Sequence, residues 1–226
     1  MAITGFTNLM TEPIAVIFLT YERTIYAVRS LQSLKDKLRY PDLRYYVADD
    51  GSRQDHIATI LDMIKDVNMI GWHTIPNGTY GRNANEAWQL AQQNCKLALF
   101  VEDDWELTQE LDLYPYAALL MEREDVGMVR LGYLNLNMRG TVFGHSGLLY
   151  WRLDRECDPY VFTGHPSLRH TRYWNAYGKY PEGLLPGETE LAYAYQFRKS
   201  QGPDIVWPVE NGSYGKFAHI GEIKSY

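Results

Sequence analysis

Leu97-Ala98-Leu99-Phe100-Val101-Glu102-Asp103-Asp104 decides the fold of this 226-residue chain, because an unbroken apolar run ends in three carboxylates. A continuous apolar run of this length suits a strand covered on both faces, as in a parallel sheet. The same pattern recurs upstream. Ile14–Leu19 is apolar throughout and runs into Thr20-Tyr21-Glu22-Arg23, while Leu43–Ala48 ends in Asp49-Asp50-Gly51-Ser52. Segments with helical spacing separate these runs. Thr24–Leu38 carries Ile25, Val28, Leu31, Leu34 and Leu38. Ile57, Ile60, Leu61, Ile64 and Val67 mark a second helix, and Asn83–Gln93 sets Ala84, Ala87, Trp88 and Ala91 on one face of a third. Ile70–Ile75 reads as one more strand. Strands alternating with helices of about 10–15 residues predict βαβ units, hence an α/β fold with a mostly parallel central sheet flanked by helices. In such sheets ligands bind beyond the carboxyl ends of the strands, where these polar clusters fall.

The second half is less regular. Strands are expected at Val126–Leu131, Gly147–Leu153, Tyr160–Phe162 and Ile205–Val209, and a helix over Glu188–Ser200. Between Gly132 and Gly187 the chain is rich in Gly, Pro, Tyr, Asn and His. No repeat or linker divides it, so residues 1–226 read as one domain with halves at about 14–107 and 126–226. Apolar residues make up 46% and charged residues 22%, which excludes a disordered tail, a collagen-like chain and a supercharged nucleic-acid binder. The net charge of −6 is local: residues 101–125 alone carry −8, leaving the remainder at +2. Two cysteines, Cys95 and Cys157, exclude a disulfide scaffold and lack metal-finger spacing. Ile14–Leu19 is far shorter than the ~20 apolar residues of a membrane span, and no secretory signal is visible. A soluble, cytoplasmic protein without integral membrane association is therefore expected.

Three carboxylates at the end of a buried strand are costly unless a cation meets them. Hard oxygen ligands suit Mg²⁺ or Mn²⁺, ions that usually enter with a substrate diphosphate. The plainer reading is a solvated acidic loop or an acid-rich helix start. For Asp49-Asp50-Gly51-Ser52 the plainer reading is a turn. A receiver-type phosphoacceptor domain also places acids after strands, but it is shorter than this chain.

Taken in order, Phe18–Arg23, Val47–Ser52 and Phe100–Leu107 resemble the GT-A nucleotide-sugar glycosyltransferases, especially those of family 2. Glu102-Asp103-Asp104 is also similar to the motif of N-acetylglucosaminyltransferases of that fold. Between the clusters, Asn77-Gly78-Thr79-Tyr80-Gly81-Arg82-Asn83-Ala84-Asn85 is similar to the family's Asn-x-Gly…Arg-Asn-x-Gly loop, with Asn85 where the last glycine usually stands. The resemblance spans about residues 14–107. It implies a Rossmann-like nucleotide-sugar-binding half, followed by an irregular acceptor-binding half. Thr20, Tyr21 and Arg23 would lie against the base, and Asp50, or else Asp49, would accept from its imide, favouring a UDP-sugar. Arg82 would approach the diphosphate or the donor sugar. Glu102 would bond the ribose, Asp103 the donor sugar and Asp104 the Mn²⁺ or Mg²⁺. His219 would be a late metal ligand or a diphosphate contact.

An inverting transferase also needs a general base for the acceptor hydroxyl. In the family this is an acid at a helix start some 80–100 residues after the metal motif, and the Asp usual there is missing here. Glu188 and Glu190 stand at that place, with Glu188 at the Pro186-Gly187 turn the nearer match. The plainer reading is ordinary enrichment of acids in a first helical turn. Trp151–Lys179 mixes arginines with aromatics, so Trp151, Arg169, Arg172 and Trp174 are the candidate acceptor contacts. They would receive a glycan or small glycoside, or less readily a modified base in DNA; the plainer reading is packing over the sheet. A sugar nucleotidyltransferase would need a glycine-rich phosphate loop after the first strand, and Leu19–Thr24 has no glycine. A non-catalytic sugar- or nucleic-acid-binding module on the same fold is the reading from another class.

Overall fold

Every residue of the first strand is buried in the computed structural model, which describes residues 12–221 apart from Asn77, residues 134–136 and Ser213. The first half is β1 (Ile14–Thr20), α1 (Thr24–Lys37), β2 (Leu38–Arg39), β3 (Leu43–Asp49), α2 (Gln54–Met63), β4 (Met69–Thr74), α3 (Thr79–Ala91) and β5 (Leu97–Glu102). β6 (Trp105–Leu107), β7 (Leu111–Asp112), α4 (Tyr114–Glu122), β8 (Val126–Arg130), β9 (Gly140–His145) and β10 (Leu148–Leu153) follow. The chain continues through β11 (Ser167–His170), α5 (Thr171–Tyr177), α6 (Pro186–Lys199), β12 (Asp204–Pro208) and β13 (Phe217–His219).

A nine-stranded sheet runs in the order β4-β3-β1-β5-β11-β8-β12-β10-β9. β4, β3, β1 and β5 are all parallel, as the βαβ reading requires. Beyond β5 the sheet is mixed. β11 is antiparallel to both β5 and β8, β12 is parallel to β8, and β9–β10 is an antiparallel hairpin on the far edge. Ser146 and Gly147 turn that hairpin with φ of 47° and 84°, the left-handed pair that matches strand twist.

Alternate residues of β1 feed two cores, which is why its sequence is continuously apolar. Ile14, Val16 and Phe18 pack under α1, α2 and α4, whereas Ala15, Ile17 and Leu19 face α3, α5 and α6. The α1 face differs from that predicted by apolar spacing. Ile25 is 77% exposed, and the buried stripe is Ala27, Ser30, Leu31, Ser33 and Leu34. The two serines are recruited because they dock β6: Ser30 donates to the Trp105 carbonyl (2.6 Å), and Ser33 accepts the Leu107 N–H (2.8 Å). Tyr160–Phe162 is not a strand. Pro159–Val161 forms a 3₁₀ turn, started by Asp158, whose carboxylate accepts the Tyr160 N–H at 2.7 Å. Among the described residues no helix is long and apolar enough to cross a membrane.

The tyrosine-rich stretch is mostly core. Phe162, Tyr173, Tyr177, Tyr180, Tyr193 and Phe197 pack as one aromatic layer between the sheet and α6. Phenols reach backbone carbonyls from inside it, Tyr177 to Pro203 (2.8 Å) and Tyr193 to Gly178 (3.0 Å). Tyrosine thus buries ring area while its hydroxyl ties a loop.

His170 gives this fold a pH dependence. Its Nδ1 accepts the Arg172 N–H at 3.0 Å and caps α5, which requires the neutral ring. Burial, with Arg172 and Lys96 nearby, pushes its pKa down to about 4. The unfolded chain, with a histidine pKa near ~6.5, takes up this proton first, so the histidine's contribution to stability is lost as pH falls from about 6.5 towards 4. His170→Asn keeps a capping acceptor and removes the titration. Urea unfolding at pH 7 and pH 4.5 should show a smaller acid loss in this variant than in the wild type; equal losses would exclude His170 as a cause.

Candidate active site

The carboxyl ends of β1, β3 and β5 lie side by side, and backbone bonds join them: the Asp103 N–H donates to the Leu19 carbonyl (2.9 Å) and the Asp50 N–H to that of Thr20 (3.1 Å). Asp103 is fully buried there. Its Oδ2 accepts the Thr20 hydroxyl and the Tyr21 N–H, both at 3.0 Å. Since Thr20 spends its proton on Asp103, it accepts from His56 Nε2–H (2.9 Å), leaving His56 Nδ1 to accept from the Thr24 hydroxyl (2.8 Å). His56 is therefore the neutral Nε2–H tautomer, and burial lowers its pKa. This histidine from α2, a residue no motif points to, is what holds the β1 end.

Arg23 closes the arrangement. Its guanidinium pairs with Asp103 and donates to Asp104 Oδ2 at 2.5 Å, so the candidate base contact is turned onto the carboxylates. Burial raises the Asp103 pKa to about 6 despite that pairing. Asp104 Oδ2 also lies 3.2 Å from His219 Nε2, brought alongside because β13 pairs with β6 and the Ile220 N–H donates to the Asp104 carbonyl (2.8 Å). The other oxygen, Asp104 Oδ1, is buried and has no hydrogen-bond partner among the described residues.

Asp49 and Asp50 divide their work. Asp49 accepts from the Gly51 and Ser52 N–H groups and the Ser52 hydroxyl, which makes it the carboxylate of the turn itself. Asp50 Oδ1 accepts the Thr79 N–H (3.0 Å) and Asn83 Nδ2 (2.7 Å). Those bonds hold Thr79 at a φ of 62°, uncommon for a β-branched residue and typical of strain stored beside a site. Asn77 of the same loop lies outside the described residues. Asn85 has a role of its own in place of the usual glycine. Its amide pairs with both the N–H (2.9 Å) and the carbonyl (3.0 Å) of Tyr180, docking α3 onto the segment that leads to α6.

Beside Asp104 opens a cleft of about 190 Å³ lined by Tyr80, Glu102, Trp105, Tyr133, His165, Glu190 and His219. That volume is below the roughly 300–1,000 Å³ of a complete small-molecule site, so it takes one end of a larger ligand. Glu102 and Glu190 meet at Gly164. A Cβ on this glycine would lie 2.6 Å from Glu102 Oε1 and 3.0 Å from both Glu190 Oε1 and the Tyr80 hydroxyl. Desolvation, followed by the neighbouring Asp104 and Glu190, holds the Glu102 pKa well above the ordinary range. Desolvation also raises Glu190, against the pull of the Gly164 N–H, Arg130 and Arg169. Trp105, Tyr133 and His165 form an aromatic wall, with His165 ring centroids 4.7 Å from Trp105 and 4.4 Å from Tyr133. Tyr80, Tyr133, Gly164 and His165 were not among the sequence candidates; only Tyr80 fell inside a motif.

Of the two candidate bases, Glu190 faces this cleft. Glu188, the nearer motif match, is exposed, and its Oε2 accepts the Leu185 N–H (3.1 Å) as a cap on α6. Arg82 is exposed on α3 and does not line the cleft. Nor do the four candidate acceptor contacts. Trp151 packs on the inner core, and Trp174 sits between Trp88 and Tyr180, each with centroids 6.0 Å away. Arg172 donates to the carbonyls of Leu120, Arg123 and Val126, and Arg169 is buried over the Phe100 ring (4.1 Å) with its guanidinium on the Tyr180 hydroxyl. These residue types look like a binding surface in sequence and are used here as packing and loop ties.

Comparison with known proteins follows the same outline. No curated protein matches the sequence. Among solved structures the chain is similar to S. aureus TarS 1-349 in complex with UDP-GlcNAc, with a TM-score of 0.62 and 17% identity over 94% of this chain and 62% of that one. It is similar to GalNAc-T7 with UDP, GalNAc and Mn²⁺ (TM-score 0.60, 12% identity, 89% of this chain, 43% of that one). The mannosyltransferase PcManGT from Pyrobaculum calidifontis, in complex with GDP-Man and Mn²⁺, gives a TM-score of 0.57 at 14% identity, covering 88% and 57%. The chain thus spans less than two-thirds of the length of each neighbour, and the likeness is one of fold. Residues 15–156 match the family Glycosyl transferase family 2, well over half of the chain, and with this GT-A architecture the protein belongs to that family.

Proposed function

We propose that the protein is a metal-dependent, inverting glycosyltransferase that moves a sugar from a UDP-sugar to an acceptor hydroxyl, with Glu190 as general base. The observation that carries this reading is the placement of Glu190 in the same cleft as Asp104 and His219. Among the described residues no group of three or more His, Cys, Asp and Glu side chains converges to hold a metal. A two-donor site still fits Mn²⁺ or Mg²⁺, because these ions commonly take one or two protein ligands and complete their shell with substrate phosphates. The unpartnered Asp104 Oδ1 is the free donor such an ion requires, with His219 beside it. Bound there, the cation would supply Lewis-acid stabilisation of the departing diphosphate.

The protein's own groups serve the remaining needs. Arg23 pairs with Asp103 and Asp104 in the free protein and would be the cation available to a phosphate once a metal met Asp104. The network of Thr20, His56 and Asp103 fixes the wall against which a nucleoside would rest. Glu190, held by the Gly164 N–H, would accept the acceptor proton. A base must be ionised, and burial raises this carboxyl, so turnover should fall on acidification through a pKa above the usual glutamate value. The arginines of Trp151–Lys179 are spent internally, with Arg152 on Asp125, Arg155 on Asp204 (2.9 Å) and Arg172 on carbonyls. That removes the basic surface a nucleic-acid acceptor would use and favours a glycan or small glycoside.

The test is UDP release from a panel of UDP-sugars with and without Mn²⁺, read beside thermal shift. Wild type should release UDP only with the metal. Asp104→Ala should abolish the release, and Glu190→Gln should keep donor binding while losing about 10²–10⁴-fold in turnover. Glu188→Gln should stay near wild type, and the reverse order of the two glutamates would overturn the assignment. Thermal stabilisation by donors with no turnover would instead mark a binding module.

Gly164→Ala tests the cleft separately. The added methyl meets the movable ends of Glu102, Glu190 and Tyr80, so the fold should lose no more than about 1 kcal/mol while turnover drops at least ~10-fold through displaced groups. Full activity in this variant would show that the point where the two glutamates meet plays no part.

A further inference from the structure

Arg130 stands at the end of β8 with 1% exposure, and among the described residues it forms no ion pair. Its Nη1 donates to the carbonyls of Tyr160 (3.2 Å) and Val161 (3.0 Å), and its Nη2 to that of Tyr133 (3.0 Å). Its Nε is buried and has no hydrogen-bond partner among the described residues. Both segments it grips end at the cleft. Tyr133 lines it directly, while Val161 leads within a few residues to Gly164, whose N–H holds Glu190, and to His165. A buried guanidinium is an expensive way to hold three carbonyls, since neutral donors could do so without desolvating a charge. The charge therefore needs a purpose of its own.

We infer that Arg130 is a positioning residue for the transfer step, clamping the Tyr133 and Tyr160–Val161 segments so that Gly164 fixes Glu190, and lending that carboxylate a buried positive charge. The inference rests on Glu190 being the base. The groups that face Glu190 divide by sign. Arg130 and Arg169 favour its ionisation, whereas the carboxyls of Glu102 from β5 and of Asp104 share the cleft with it, Glu190 being one of the charges that raise Glu102. Tyr80 from α3 is a neutral phenol, and His165, pushed down to about 3 by burial and by Arg130, is a neutral imidazole. His219 stands on the wall beside Asp104, and Asp158, ahead of the 3₁₀ turn packed on α6, acts on Arg130. Arg169 is anchored on Ser167, Tyr180 and the Phe100 ring, so of the two cations only Arg130 also ties the loops of the cleft.

The experiment titrates unliganded protein carrying ¹³C-labelled glutamate side chains, with the Glu190 signal assigned by its loss in Glu190→Gln. In Arg130→Gln the Glu190 midpoint should rise by about 0.5–1 pH unit, whereas Arg130→Lys, which keeps the charge, should leave it near wild type. Both variants should lower kcat for UDP release at least ~10-fold with the donor KM within about threefold, because neither can span all three carbonyls. An unmoved midpoint in Arg130→Gln, or a loss of kcat no greater than the loss of folded protein, would overturn the inference. If Arg130→Gln does not fold, Arg130→Lys decides: wild-type kcat overturns the clamp, and a lowered kcat at unchanged KM supports it. If wild type releases no UDP, the transferase reading fails, and the titration still judges the role of Arg130.

Discussion

Asp103 is the point on which the site depends. A carboxylate with no exposure must have its charge answered, and here the answers come from one short stretch at the end of β1: the Thr20 hydroxyl, the Tyr21 N–H and the Arg23 guanidinium. Meeting that demand locks the end of β5 to the end of β1. Once Thr20 is committed to Asp103, it can only accept from His56, which fixes the tautomer of a ring on α2 and, through it, Thr24 at the start of α1. Asp104, the next residue, is left with one carboxylate oxygen shared by Arg23 and His219 and the other unanswered. One buried charge thus orders the ends of β1 and β5, and beside the cleft it leaves Asp104 Oδ1 without a hydrogen-bond partner among the described residues.

The parallel half of the fold was legible because its physics is local. Strands covered on both faces must be apolar throughout, and the turn chemistry of Asp49–Ser52 and the acids after Val101 follow each run directly. The second half was legible only in part: β8, β10, β12 and α6 fall where strands and a helix were expected, while the rest escaped for two identifiable reasons. β11 contains Arg169 and His170, both buried by long-range partners, and no periodicity announces a strand whose polar residues point inward. The aromatics and arginines of residues 151–179 have the composition of a binding surface, yet their partners are carbonyls and rings far away in sequence. The same limit decided between Glu188 and Glu190. Glu188 stands in the first turn of α6 and Glu190 opens the second, two residues apart and so on different sides of the helix, and which side meets the cleft depends on packing against α3 and the 3₁₀ turn.

Charge tells a similar story at larger scale. The acidic block of residues 101–125 is partly answered at the surface, Glu106 by Arg29 (2.6 Å) and Asp125 by Arg123 (2.7 Å), pairs of small individual worth. The cleft acids are answered differently. Glu102, Asp104 and Glu190 crowd one small space, while Arg130 and Arg169, both buried, form no ion pair among the described residues and act on Glu190. An isolated buried ion costs several kcal/mol, roughly, even after relaxation. Carboxylates crowded together would drive one another to protonate, so buried cations one layer back make the presence of both kinds of charge intelligible.

The family match and the cleft divide the protein in an informative way. The matched residues 15–156 contain Thr20 at the end of β1 and the carboxylates that end β3 and β5, together with Arg23 and the loop of Asn83. Gly164, His165, Glu190 and His219 all lie beyond it. The elements bearing them are brought back by β11 joining the large sheet antiparallel to β5, by β13 pairing with β6 in a separate two-stranded sheet, and by Asn85 pairing with the backbone of Tyr180. On the transferase reading proposed above, the donor would meet the matched framework and the acceptor the segments beyond it. The residues that would meet the acceptor are carried on returning segments whose positions are set by specific ties, Asn85 to Tyr180 and Arg130 to Tyr133, which can change without disturbing the carboxyl ends of the parallel strands.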